Sequence, residues 1–139
     1  MKKILSFLLL SCMLLSCSKD AFKPYSTRVV GTWHISDINR TGFGGNISDL
    51  PFQSGTFTFN NNGSMTYVDA QGGQYNGSWD ISERYYDDGY HKTLDIVVVN
   101  FTTQQILREY YEEMDFRSTD HFVVKVVDGW HSYTTHFRR

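Results

Sequence analysis

HFVVKVVDGWHSYTTHFRR, residues 121–139, carries two runs of alternating apolar and polar side chains on either side of an Asp-Gly pair. Asp128-Gly129 is a two-residue hairpin signal, because the tight turns that match strand twist need residues tolerant of positive φ. That turn predicts Val127 opposite Trp130, Val126 opposite His131 and Val124 opposite Tyr133. Side chains alternate across a strand, so Phe122, Val124, Val126, Tyr133 and Phe137 share one face, the predicted interior. Upstream, Asn61-Asn62-Gly63 interrupts a second alternating pair. A three-residue loop with Gly63 in the left-handed position sets Phe59 opposite Met65 and Phe57 opposite Tyr67. A two-residue loop would set Phe59 opposite Thr66, and cross-strand aromatic pairs favour the first arrangement.

The same pattern extends over the rest of the chain from residue 28 onward, with Val, Ile, Thr, Tyr, Phe and Trp runs punctuated by Gly, Asn and Asp. It predicts strands at 28–37, 55–60, 64–69, 74–83, 92–101, 106–117, 121–127 and 130–138. Within 104–113, Ile106, Leu107, Tyr110 and Tyr111 also fit a helix face. Strand is expected there, because Arg108, Tyr110, Glu112, Met114 and Phe116 continue a period of two among β-forming neighbours. Eight consecutive strands with short links predict an all-β, up-and-down antiparallel barrel, since closure removes exposed edges. A partly open β-sandwich fits the same pattern. A barrel of this size is wide enough to hold one small ligand.

The chain has 139 residues, 40% of them hydrophobic and 16% aromatic, with a formal net charge of -2, which predicts one domain with a core and excludes a disordered chain. Two cysteines cannot make a disulfide-stapled scaffold. No P-loop, HExxH, CxxC, GxSxG or GxGxxG motif occurs. A slightly acidic chain without a Lys/Arg cluster lacks the electrostatic footprint of a nucleic-acid binder.

Lys2 and Lys3 precede an apolar run over residues 4–15 that ends in Leu14-Leu15-Ser16-Cys17, a pattern that predicts a secretory signal over residues 1–16. As a helix the run would measure roughly 18 Å, short of the roughly 30 Å hydrocarbon layer. Leu-Leu-Ser-Cys resembles the lipobox of bacterial lipoproteins. That resemblance implies cleavage before Cys17, acylation of Cys17 and a tether to the membrane, because two or three acyl chains anchor stably where one does not. Cys12 would leave with the signal, so no free thiol would remain for metal binding or nucleophilic catalysis. Ser18-Lys19-Asp20 resembles the export signal of Bacteroidetes lipoproteins that reach the outer face of the outer membrane. The resemblance implies an outer-membrane lipoprotein displayed at the cell surface; a plain polar tether on the periplasmic face is the alternative. Residues 17–27, with Pro24, read as that tether, and residues 28–139 as the folded domain.

Three features of the domain resemble the lipocalin family, and more closely the lipocalin-like domains of Bacteroidetes lipoproteins. Gly31-Thr32-Trp33 matches the family's Gly-x-Trp on the first strand. Thr119-Asp120 falls where lipocalins keep a Thr-Asp turn, and Arg138 ends the last strand. The resemblance implies that Gly31 and Trp33 form a structural plug at the closed barrel end, with Arg138 or Arg139 packed over the indole. The C-terminal helix and disulfide of typical lipocalins are missing. The long connection 39–54, carrying Phe43, Leu50 and Phe52, corresponds to the loop that lies over a lipocalin's mouth. It is read either as a lid or as a surface loop whose aromatics fold back.

Three functional classes follow. The first is a binding protein for a small apolar or amphipathic ligand held between Phe57, Phe59, Met65, Tyr67, Tyr75, Trp79, Phe122 and Tyr133. The second is a surface interaction or inhibitor module with a filled barrel and no small ligand, acting through its loops. The tyrosine-rich tip 84–90 is a recognition surface on that reading, or else a β-turn at Asp88-Gly89. The third is an enzyme, the least expected. His131 and His136 lie an odd number apart and face opposite sides. The predicted register sets His121 across from His136, with Asp120 as the nearest third metal ligand. Glu109, Glu112, Glu113 and Asp115 read as a solvated strand face. No cofactor and no catalytic residue is expected.

Overall fold

The computed structural model describes residues 23–139. The predicted signal peptide, Cys17 and residues 17–22 of the tether lie outside the described residues. The elements are a single helical turn α1 (Tyr25–Arg28), β1 (Gly31–Gly42), a 3-10 turn at Ile47–Asp49, β2 (Thr56–Phe59), β3 (Ser64–Val68) and β4 (Gln74–Tyr86). They continue with β5 (Gly89–Asn100), β6 (Gln105–Tyr111), β7 (Glu113–Phe116), β8 (His121–Asp128) and β9 (His131–Arg138). All strand pairs are antiparallel in one nine-stranded sheet, ordered β6-β5-β4-β3-β2-β1-β9-β8-β7. Among the described residues no helix is long and apolar enough to cross a membrane.

The all-β class is as predicted, and residues 105–111 form a strand, not a helix. The count of eight strands is corrected to nine, because the predicted strand 106–117 divides at Glu112. There the backbone leaves the β5 ladder, which ends at Leu94 opposite Tyr111, and joins the β8 ladder, where the Glu112 N–H donates to the Lys125 carbonyl at 2.9 Å. The unpaired residue shifts the phase of the alternation, as a bulge does. Leu107 and Tyr111 face the core on one side of it, Met114 and Phe116 on the other. Arg108 and Tyr110 therefore do not share a face with Met114 and Phe116 as predicted; Arg108 pairs with Asp95 on the outside at 2.9 Å. β6 and β7 stand at the two ends of the sheet and no strand pairing joins them, so the sheet is not closed. It curls so that β7 lies against β5 and β6 against β8.

Two hairpins test the turn chemistry. Gly63 has φ +80°, Asn60 bonds Ser64 across a three-residue loop, and Phe57 faces Tyr67 and Phe59 faces Met65, as expected. In the last hairpin the turn sits one residue later than predicted. Asp128 pairs with His131, leaving Gly129 and Trp130 as the loop, and Val126 lies opposite Tyr133. Gly129 alone of the two has positive φ, +58°, which suits a turn with glycine at its first central position. The partner of each residue moves by two, an even step, so the predicted inner face survives: Phe122, Val124, Tyr133 and Phe137 are buried and Val126 packs on the core. The 84–90 tip is likewise displaced; the loop is Asp87-Asp88, and Gly89, at φ +135°, opens β5 opposite Tyr86.

Candidate functional site

One end of the curled sheet is sealed by its own residues. Trp33 is fully buried, and its indole N–H donates to the Val29 carbonyl at 2.7 Å. Phe122 meets the ring edge-on at 4.6 Å and Phe116 at 6.2 Å. The Arg139 guanidinium lies 4.2 Å from the Trp33 ring and donates to the Arg28 and Val30 carbonyls. Arg139, not Arg138, thus covers the indole, because β9 alternates and Arg138 turns outward opposite His34. The Arg139 backbone N–H donates to Asp120 of the predicted Thr-Asp turn at 3.2 Å. Gly31, at φ +125°, passes under that guanidinium, which is 3.7 Å from where a Cβ would stand. Residues 25–28 belong to this seal, not to a free tether. Tyr25 packs on Phe116 at 5.1 Å and donates to Asp115 at 3.2 Å, and Arg28 stacks 4.0 Å over Phe116.

The middle of the space inside the curled sheet is filled. Phe57 touches Phe59, Tyr67 and Phe137, and Phe122 stacks on Phe137, at ring distances of 4.6 to 6.3 Å. Trp79 meets Phe59 and donates to the Asn60 and Ser64 carbonyls. Met65 and Tyr133 are also buried. All eight predicted cavity residues therefore lie inside, but most pack on one another.

The other end is built differently. The connection after β1 starts at residue 43, later than predicted, and divides in its roles. Phe43 is 89% exposed, whereas Leu50 and Phe52 fold back and are buried. Phe52 wedges against Phe57 at 5.4 Å and Tyr67 at 5.0 Å. Tyr133 donates to the Asn46 carbonyl, and Arg40 donates to the Gly44 and Gly45 carbonyls, so the loop is held at both edges. Beside it opens a cleft of about 320 Å³ lined by Pro51, Gln53, Ser54, Tyr67, Asp69, Gln71, Tyr75, Gln105 and Leu107. Tyr67 donates to Ser54 O at 2.8 Å and Tyr75 to Gln105 Oε1 at 2.8 Å. Burial, with the Asp69 carboxylate nearby, pushes the Tyr67 hydroxyl up to about 12 and raises Tyr75 too, so both stay protonated. Of the predicted cavity set, Tyr67 and Tyr75 alone line this cleft.

Below Leu107 on the same inner face stands Glu109, opposite the buried Ile96. Burial holds its carboxyl above the usual carboxylate range. Among the described residues no Lys, Arg or His pairs with it. Glu109 does not join the solvated face expected of it. The break at Glu112 leaves Glu109 inside, while Glu113 pairs with Lys125 at 3.3 Å and Asp115 with Arg117 at 3.1 Å. The sequence held the signal for Glu109, which sits between the core residues Leu107 and Tyr111 at a spacing of two.

His121 and His136 meet, by a different route from the one predicted. His121 lies opposite Arg138 in the ladder, but its Nε2 reaches His136 Nδ1 diagonally at 3.1 Å, with the rings stacked. Asn39 binds the other His136 nitrogen, and Asp120 is engaged by Ser118. Among the described residues no group of three or more His, Cys, Asp or Glu side chains gathers to hold a metal ion. At the 84–90 tip, Tyr85 and Tyr90 are exposed and pack edge-on at 5.1 Å, and His91 reaches Asp88 at 2.9 Å. No protein-family model, curated protein or solved structure matches the chain.

Proposed function

We propose that this chain is a lipid-anchored envelope protein, tethered through acylated Cys17, whose sheet forms a lipocalin-like barrel that binds a small amphipathic ligand at its open end. The observation that carries this reading is the cleft of about 320 Å³ beside the folded loop, at whose wall stand Tyr67 and Tyr75 with the polar Gln53, Asp69, Gln71 and Gln105. That volume is at the small end of the roughly 300 to 1,000 Å³ range of ligand pockets. The described part of the chain enters the fold at the sealed end, through α1. The proposed place is the outer membrane at the cell surface. No catalytic residue and no cofactor enters the reading.

The filled-barrel interaction module is the second reading, and the packed Phe52, Phe57, Phe59, Phe122 and Phe137 rings favour it. Native mass spectrometry of residues 18–139 after exposure to an envelope extract and to spent growth medium separates the two. The binding reading expects a discrete added mass that is lost on denaturation. A bare protein mass from both sources overturns it in favour of a protein partner.

A further inference from the structure

The cations that cover the sealed end also line a pocket there. Lys23, Thr27, Arg28, Val30, Thr119 and Arg139 surround a space of about 170 Å³ where the chain enters the fold. Three of these side chains are cationic and two carry hydroxyls, and among the described residues no Asp or Glu lines the pocket. Residues 23, 28 and 139 come together only in space, from the two ends of a chain whose acids outnumber its bases. Sealing does not use up their donors. Arg139 reaches the Arg28 and Val30 carbonyls through Nη2 alone, and Arg28 reaches the Ser118 carbonyl through Nη2 at 3.5 Å. A guanidinium carries five N–H donors in a planar fork that matches phosphate. Stacking over Trp33 and Phe116 fixes the two guanidiniums without consuming those N–H groups. Asp120, next to Thr119, is engaged by the Ser118 hydroxyl.

We propose that this pocket binds the phosphate of an anionic lipid headgroup in the membrane that holds the anchor. The proposal rests on the lipid-anchored reading above and is independent of the cleft at the open end. Lys23 follows Cys17 by six residues, a reach of no more than about 22 Å even when fully extended. A chain held at Cys17 therefore keeps the pocket near the headgroups. Arg28 and Arg139 supply charge-assisted donors to the phosphate oxygens, Lys23 adds a third cation, and the Thr27 and Thr119 hydroxyls complete the donor set. Salt screens exposed charges beyond roughly 8 Å, so the attraction acts at contact and a cation elsewhere on the surface does not replace one in the pocket. Bound in this way, the sealed end lies on the bilayer.

The test is co-sedimentation of residues 18–139, which hold every described residue and no acyl group, with phosphatidylcholine vesicles that contain or lack phosphatidylglycerol. Lys23→Gln removes one cation from the pocket and Thr27→Glu sets a carboxylate in it. Arg108→Gln changes net charge as Lys23→Gln does, but on the outer face of β6. The expected result is binding to the phosphatidylglycerol vesicles alone, about fivefold weaker in Lys23→Gln, weaker again in Thr27→Glu and unchanged in Arg108→Gln, with wild-type melting temperatures in all three. Sodium phosphate should displace the protein better than sodium chloride of equal ionic strength. An equal loss in Arg108→Gln, or equal displacement by chloride, overturns the pocket in favour of diffuse charge. A melting temperature raised by inorganic phosphate without vesicle binding overturns the lipid source, and no response to either overturns the site. The intact mass of the full chain from the membrane fraction tests the anchor separately. An unmodified Cys17 there overturns the anchored reading, whereas an acylated Cys17 without vesicle binding overturns the pocket alone.

Discussion

The two ends of the curled sheet solve opposite problems with similar residues. At the sealed end, aromatic rings meet cations: Arg139 covers Trp33, Arg28 covers Phe116, and both cations donate to backbone carbonyls. At the open end, aromatic rings meet an acid: Tyr67 and Tyr75 stand near Asp69, with no Lys or Arg in the lining of the cleft. A sealed end gains from satisfying every group internally.

The contrast breaks most sharply at Trp33. Trp33→Ala removes a fully buried ring from the sealed end and should cost about 3 to 5 kcal/mol, as large aromatic truncations in cores do; denaturant unfolding measures it, and an unshifted midpoint would remove the plug. Next comes Arg139→Ala, which loses a partly exposed cation-aromatic contact and two carbonyl hydrogen bonds. Its expected cost is about 1 to 2 kcal/mol, whereas Arg138→Ala, on the outer face, should cost less than about 0.5 kcal/mol. Equal costs would mean that Arg139 is not the residue that seals the end.

On the inner face of β6 the sign reverses. The folded state holds the Glu109 carboxyl above its ordinary value, so it binds the proton more readily than the unfolded chain does. Stability tied to this group is therefore highest at low pH and falls as pH rises through the folded value. Glu109→Gln should raise the melting temperature by a few degrees at neutral pH and flatten that slope; thermal melts from pH 4 to 8 read both.

The smallest effect belongs to His121, which partial burial and the charges of Arg138, His136 and Arg117 push below 6.5, against the opposing pull of Asp120. The unfolded chain takes the proton first, so stability should fall as pH drops below about 6.5. His121→Gln should remove that part of the slope and leave the Glu109 part intact.

Much of this was legible before any coordinates. The Phe57–Tyr67 and Phe59–Met65 pairs followed from Gly63 and the alternation around it, because a local turn sets register by itself. The inner face of β8 and β9 was legible even though its partners were not, since a shift of two preserves a face. Glu112 was not legible. Both sides of it alternate, and nothing local marks the residue at which the strand exchanges β5 for β8. That exchange depends on where two distant strands arrive when the sheet curls, and it is what sends Glu109 inward while its neighbours Glu113 and Asp115 go out.

The choice between Arg138 and Arg139 was of the same kind. Either sits near the end of the last strand, and only the outward turn of Arg138 opposite His34 hands the Trp33 ring to Arg139. The sequence by itself determined the strand class, the turns and which residues seek the interior, because those rest on periods of two and on glycine's conformational range. The tertiary structure decided which of those residues fill the inside of the curled sheet and which are left to line a cleft. That outcome belongs to no single strand: it depends on Phe52 folding back from a distant loop and on the sheet changing partner at Glu112.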